Sequence, residues 1–138
     1  MEIDPRALAA MIDHTLLAPE ATSSDITKLC AEAVELGVGT VCVSPSHVAL
    51  AYGLLPATIQ VASVVGFPSG AHRSEVKALE AGLAVESGAI EIDMVINLAH
   101  VLSGNWRGVE DDVAEVRAAA RRRVVLKVII ESGALTDE

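Results

Sequence analysis

Aromatic residues are nearly absent, at 2% of 138 positions, so packing must rest on Ala, Val, Leu and Ile. That composition suits close helix-on-sheet layers better than an aromatic binding surface. Basic residues are also few: 10 Lys and Arg against 19 Asp and Glu leave a formal charge of −9, and the one dense basic run is Arg121-Arg122-Arg123. Nucleic acid is therefore not an expected partner. The Arg run fits better at the end of a helix, where cations offset the negative end of the dipole. Two cysteines, Cys30 and Cys42, are too few for a disulfide framework and have no metal-ligand spacing, which fits a reducing cytoplasm. No apolar run is long enough to span a membrane, and Met1 to Pro5 lack the positive start of a signal peptide. Neither GxGxxG nor GxxxxGK[ST] occurs, so no nucleotide site is signalled. The expectation is a cytoplasmic protein that needs neither membrane nor nucleic acid.

What the chain does have is apolar content, 51%, enough for the core of one domain over residues 1–138. Its clearest strand is Ile90 to Asn97, Ile-Glu-Ile-Asp-Met-Val-Ile-Asn. Strand side chains alternate, so Ile90, Ile92, Met94 and Ile96 share one face while Glu91, Asp93, Val95 and Asn97 share the other. Helical patterns flank it on both sides, as in a βαβ chain whose parallel strands are covered on both faces. A carboxylate inside such a sheet is costly unless it is paired, hydrogen-bonded or used, which makes Asp93 a candidate functional residue.

Asp4-Pro5 reads as an N-cap and first helical position of a short helix. Asp13-His14-Thr15-Leu16-Leu17 follows, a brief apolar segment that fits a short strand or a linker. Asp13, His14 and Thr15 packed together are odd for either, and a turn carrying an Asx hydrogen bond is preferred over a functional role for them. Thr22 to Asp25 is a capping box, and Ile26, Leu29, Cys30, Ala33 and Val34 follow at helical spacing up to Gly37, so Cys30 is read as core. Val38 to Val43 is a second strand, with Cys42 facing away from Val41 and Val43, and Ser44-Pro45-Ser46 caps a helix from His47 to Leu54. The third strand, Ile59 to Val65, opens into Gly66-Phe67-Pro68-Ser69-Gly70, the kind of loop that meets ligands in α/β folds. The next helix, Arg73 to Ser87, puts Val76, Leu79, Leu83 and Val85 near one stripe, with Lys77 and Glu80 read as a surface pair. His100 and Trp106 fall in a connection with a turn at Gly104-Asn105, ahead of a helix from Val109 to Arg122; His100 has no partner at ligand spacing. The fifth strand, Val124 to Glu131, places Leu126, Val128 and Ile130 on one face and Lys127, Ile129 and Glu131 on the other. Lys127 is either snorkelling from an edge or set beside an acid. Opposite charges on successive parallel strands favour the second.

Five strands alternating with helices form either an open doubly wound sheet or a barrel. Inward polar residues favour the barrel, with chemistry at the C-terminal strand ends. The expected fold is thus α/β, a partial TIM (β/α)8 barrel of parallel strands, supplying about five of eight units.

Five stretches occur in family order: Asp13-His14-Thr15-Leu16-Leu17 with Pro19, Val41-Cys42-Val43-Ser44-Pro45, Gly66-Phe67-Pro68-Ser69-Gly70, Glu91-Ile92-Asp93-Met94-Val95-Ile96-Asn97 and Leu126-Lys127-Val128-Ile129-Ile130-Glu131. Together they resemble the deoxyribose-phosphate aldolase family over nearly the whole chain. The resemblance implies a class I, Schiff-base lyase that reversibly splits a small phosphorylated sugar, 2-deoxyribose 5-phosphate, into glyceraldehyde 3-phosphate and acetaldehyde without metal or other cofactor. In that chemistry a lysine amine forms an imine with the carbonyl carbon, which then accepts electrons from the breaking carbon-carbon bond. By resemblance, Asp93 relays protons during imine formation, Lys127 orients water and tunes charge beside it, and Asp13, Thr15 and Cys42 line the pocket.

The sequence also departs from the family. The imine-forming lysine of relatives lies on a sixth strand in Lys-Thr-Ser-Thr-Gly, a further lysine on the seventh, and the phosphate-binding loops follow; this chain reaches Thr136-Asp137-Glu138 before any of them. Ala18 stands where many relatives carry a lysine. The 138 residues alone are therefore expected to be inactive, left unmodified by acetaldehyde and borohydride, and to self-associate or be poorly stable because an unclosed sheet exposes its edges. A homo-oligomer is left open. The alternative reading is a non-catalytic half-barrel serving as a binding or assembly module.

Overall fold

The computed structural model describes residues 4–136. Five strands, β1 (Asp13–Leu16), β2 (Thr40–Val43), β3 (Gln60–Val65), β4 (Glu91–Val95) and β5 (Val125–Ile129), alternate with helices α1 (Pro5–Ala9), α2 (Ser23–Leu36), α3 (Val48–Leu54), α4 (Ser74–Glu86), α5 (Leu98–Leu102) and α6 (Trp106–Ala120). The sheet runs β1-β2-β3-β4-β5 and every pairing is parallel. A doubly wound sheet reverses its order at a switch point; this one never does, so it winds in a single direction like part of a barrel.

Its curvature can be measured across the edges. In a flat sheet β1 and β5 would lie four strand spacings apart, roughly 19 Å at about 4.8 Å each. Lys127 of β5 nonetheless reaches Asp13 of β1 at 2.7 Å. A lysine side chain spans only a fraction of that distance, so the sheet is curled, with the two edge strands facing each other across its concave side.

The main core lies on the convex side. Ile26, Leu29, Cys30 and Ala33 of α2, Ala81 and Ala84 of α4, and Val116 and Ala120 of α6 pack against Val41, Val43, Val65, Ile92 and Met94. On the concave side Cys42, Ala62 and Val64 form a smaller apolar patch. The capping box at Thr22 and Asp25 starts α2, and Gly37, at φ 66°, ends it. Among the described residues no helix is long and apolar enough to cross a membrane.

Several local expectations are corrected. Asp13–Leu16 is a strand, not an Asx turn; the Thr15 hydroxyl donates to the Asp13 carbonyl, and the ladder to β2 organises the backbone. In α4 most of the expected stripe faces outward, with Val76, Leu79 and Leu83 more than half exposed, while Val85 packs against the core. Lys77, Ala81 and Ala84 are the buried residues, because small side chains allow the helix to sit close to its neighbours. Lys77 and Glu80 do not pair on the surface: Lys77 is buried against Asp112, and Glu80 accepts the Gly66 N–H at 2.8 Å. His100 lies within α5, capped by Asn97, and Trp106 opens α6 three residues before the expected start, where the Asn105 side chain accepts the Gly108 N–H. Strand β5 ends at Ile129, and Glu131, at φ 52°, leaves the ladder instead of sharing the Lys127 face.

Candidate active site

Alternation on adjacent strands brings Asp93 and Lys127 directly opposite each other in the β4–β5 register, both on the concave face. Two residues earlier on β4, Glu91 occupies the same face, and Asp13 enters from β1. The Lys127 ammonium donates to Asp13 Oδ2 at 2.7 Å and lies 3.0 Å from Glu91 Oε2 and 3.1 Å from Asp93 Oδ1. Three carboxylates from two strands thus converge on one lysine. Asp93 is the most enclosed, with 15% of its side chain exposed against 39% for Lys127.

The electrostatics follow from this crowding. Burial is the main influence on Asp93 and lifts its carboxyl above the usual value; the Lys127 hydrogen bond and charge pull the other way without cancelling it. For Lys127 burial disfavours the ammonium, but the bonds from Asp13, Glu91 and Asp93 outweigh it and hold the amine above its ordinary value. Lys127 is therefore a firmly charged group, poorly suited to attack a carbonyl, which requires the free amine. Asp93 Oδ1 faces the Lys127 ammonium at 3.1 Å, so this buried oxygen is paired with the cluster's only cation.

Cys42 stands beside this group. Its Sγ is 3.9 Å from Asp93 Oδ2, a weak contact, and its thiol is pushed up to about 12 by burial and then by the charges of Asp93 and Asp13. It is an enclosed neutral thiol, not a nucleophile. Thr15 pairs in register with Cys42 and shares the Asp13 side of β1, but it is exposed and its hydroxyl turns back to the Asp13 carbonyl. The structure thus gathers Asp93, Lys127, Asp13 and Cys42, with Thr15 at the border. It adds Glu91 and Thr40, whose hydroxyl lies 3.5 Å from Glu91 Oε1. Glu91 was legible as Asp93's same-face neighbour; Thr40 carried no distinguishing signal. His100 is elsewhere, its Nδ1 3.1 Å from Asn105 Nδ2. A groove of about 430 Å³ lined by His14, Lys28 and Glu32 lies between β1 and α2, where the edge strand's outward side is uncovered.

Residues 7–138 match the family model of DeoC/LacD family aldolases. The chain belongs to that aldolase family. It is 55% identical to a deoxyribose-phosphate aldolase from Kocuria rhizophila over 95% of its own length and 59% of the relative's. The deoxyribose-phosphate aldolase of Frankia alni is 51% identical, with 94% and 60% covered. Among solved structures, the tetrameric deoxyribose phosphate aldolase of Aeropyrum pernix superposes with a TM-score of 0.82 at 34% identity, over 97% of this chain and 56% of that one. The chain therefore spans about 60% of the length of the curated aldolases it matches. Within the family fold, the single-direction parallel order and the curl identify its strands as part of a (β/α)8 barrel.

Proposed function

We propose that these residues form the first five βα units of a class I deoxyribose-phosphate aldolase, acting reversibly on 2-deoxyribose 5-phosphate. Asp93 carries the reading: a mostly buried carboxyl with a raised pKa, on the concave face beside a fixed cation, suits a group that gives and takes protons while a carbinolamine loses water. Lys127 is the fixed cation that limits how far that carboxyl's pKa can rise and that orients water beside it. Asp13 and Glu91 hold Lys127 charged, while Cys42 and Thr15 line the pocket wall.

The chain contains three lysines, Lys28, Lys77 and Lys127. Lys28 is an exposed residue of α2, Lys77 is buried in an ion pair on the convex side, and Lys127 is held as an ammonium. On this reading none of the three forms the imine, and the role falls to a lysine of the barrel's further strands. Three carboxylates around a single ammonium leave a formal negative excess that the positive charge developing on the iminium would relieve.

The test joins residues 1–138 to the remaining strands of the Kocuria rhizophila relative. The fusion is expected to cleave 2-deoxyribose 5-phosphate, and Asp93→Asn in it to lower kcat on the order of 10²- to 10⁴-fold with the fold retained. A folded fusion with full activity after Asp93→Asn would remove Asp93 from the chemistry.

A further inference from the structure

On the convex side, one buried ion pair is not explained by the cluster. Lys77 of α4 has no exposed surface, and its ammonium donates to Asp112 Oδ2 of α6 at 2.7 Å and to the Val95 carbonyl at 2.9 Å. Asp112 is equally enclosed, and its other oxygen has no donor. Burying both charges costs more than apolar side chains of the same size would, so stability alone is a poor reason for them. The third contact shows what the lysine does.

Strand β3 pairs with β4 as far as Val65 opposite Met94. It then turns away at Gly66, whose φ is 64°, so no strand flanks β4 on that side beyond Met94. The Lys77 side chain fills this vacated position: a methyl group on Gly66 would lie 2.9 Å from Lys77 Cε. Its ammonium then binds the carbonyl of Val95, two residues past Asp93 and the last residue of β4. On the other flank, the Ile96 N–H still bonds the Ile129 carbonyl of β5.

We propose that Lys77 is a positioning residue, an ammonium that substitutes for the missing β3 rung and locks the C-terminal end of β4 so that Asp93 keeps its place opposite Lys127. Asp112 pairs with that ammonium inside the helix layer. Glu80 supports the same corner by accepting the Gly66 N–H, so two side chains of α4 fix the point where β3 ends. The functional meaning of the lock rests on Asp93 being the working carboxyl, but the lock itself is a property of the strand and is testable without activity.

The variant is Lys77→Met with Asp112→Leu, which removes both charges together and leaves no unpaired ion. Hydrogen exchange by mass spectrometry is read on the segment Met94 to Asn97, with Val61 to Val64 of β3 as the internal reference, and Asp93 is titrated by carboxyl ¹³C NMR. The variant is expected to fold and to leave β3 protection unchanged, while exchange at the end of β4 quickens on the order of tenfold or more. Burial is the main cause of Asp93's raised value, and Lys127, Glu91, Asp13 and Cys42 are the titratable groups facing it. Water admitted at a loosened strand end should therefore move its midpoint down toward the ordinary carboxylate range. Unchanged β4 exchange with an unchanged Asp93 midpoint would reduce the pair to glue between α4 and α6, and failure of the double variant to fold would make it a stability element; either result overturns the proposal. If the fusion described above proved inactive while β4 still loosened, the enzymatic reading would fail and the lock would stand.

Discussion

The balance of the cluster is decided by single protons. Lys127 is bound more tightly to its proton in the folded chain than in the unfolded one, so its contribution to stability is fully present below about 10.5, its ordinary value, and is lost as pH rises through the raised folded value. Asp93 has the opposite sense: its folded value is raised above 3.8, so the ionised form weakens the fold as pH rises from 3.8 through that folded value. Removing the ammonium by Lys127→Met leaves Asp13, Glu91 and Asp93 crowded without a cation. The variant is expected to be less stable than the parent at pH 7 and to regain stability on acidification as Asp93, whose carboxyl is already raised, takes up a proton. Denaturant titrations at pH 7 and pH 5 check this, and equal destabilisation at both would mean that the three acids do not feel one another. At Gly70, φ is 68° and an added methyl group would lie 2.0 Å from the Ile96 carbonyl oxygen. Gly70→Ala should cost at least about 2 kcal/mol, from left-handed strain plus displacement of the loop against β4, measurable as a shift in the denaturant midpoint.

At the level of elements, β4 and β5 could be read from sequence because alternation is a strict constraint: one misplaced residue would have sent Asp93 or Lys127 into the apolar side. The α2 boundaries were equally readable from Thr22, Asp25 and Gly37, each of which forms the local contact its type implies. Helix α4 was misread for a physical reason. It carries apolar residues nearly all round, so hydrophobic spacing did not say which side faces in; the size of Ala81 and Ala84 did, together with a partner for Lys77 thirty-five positions away that local pattern cannot reveal. The same limit hid β1, whose four residues gain their strand geometry from β2, and it hid Thr40, whose relevance depends on where Glu91 comes to rest. The orientation of α4 has a direct check. Leu79→Gln should change stability by no more than about 0.5 kcal/mol, whereas Ala81→Leu should cost about 1–3 kcal/mol by overpacking. Thermal denaturation of the two variants distinguishes them, and the reverse order would mean that the helix is turned the other way.

On the scale of the whole molecule, the polar cluster and the curl explain each other. Asp13 and Lys127 sit on the two outermost strands of the described sheet, and they meet only because the sheet bends. Their attraction across the concave side favours that bend in turn. The described β1 and β5 each have one strand neighbour, which leaves a row of backbone groups on either edge. The 138 residues on their own are expected to associate through those edges, so sedimentation should give a concentration-dependent mass; a sharp monomer at every concentration would mean that the edges are protected in some other way. The most direct measurement concerns the lysine at the centre. Residues 1–138 are incubated with acetaldehyde, reduced with borohydride at pH 7 and mapped by peptide mass spectrometry, with exposed Lys28 as the internal standard. Because Lys28 is exposed, the expectation of an unmodified chain narrows to the cluster. Lys127, held as an ammonium by three carboxylates, should stay unmodified while Lys28 takes up ethyl groups, and preferential ethylation of Lys127 would show a free amine where a fixed cation is expected.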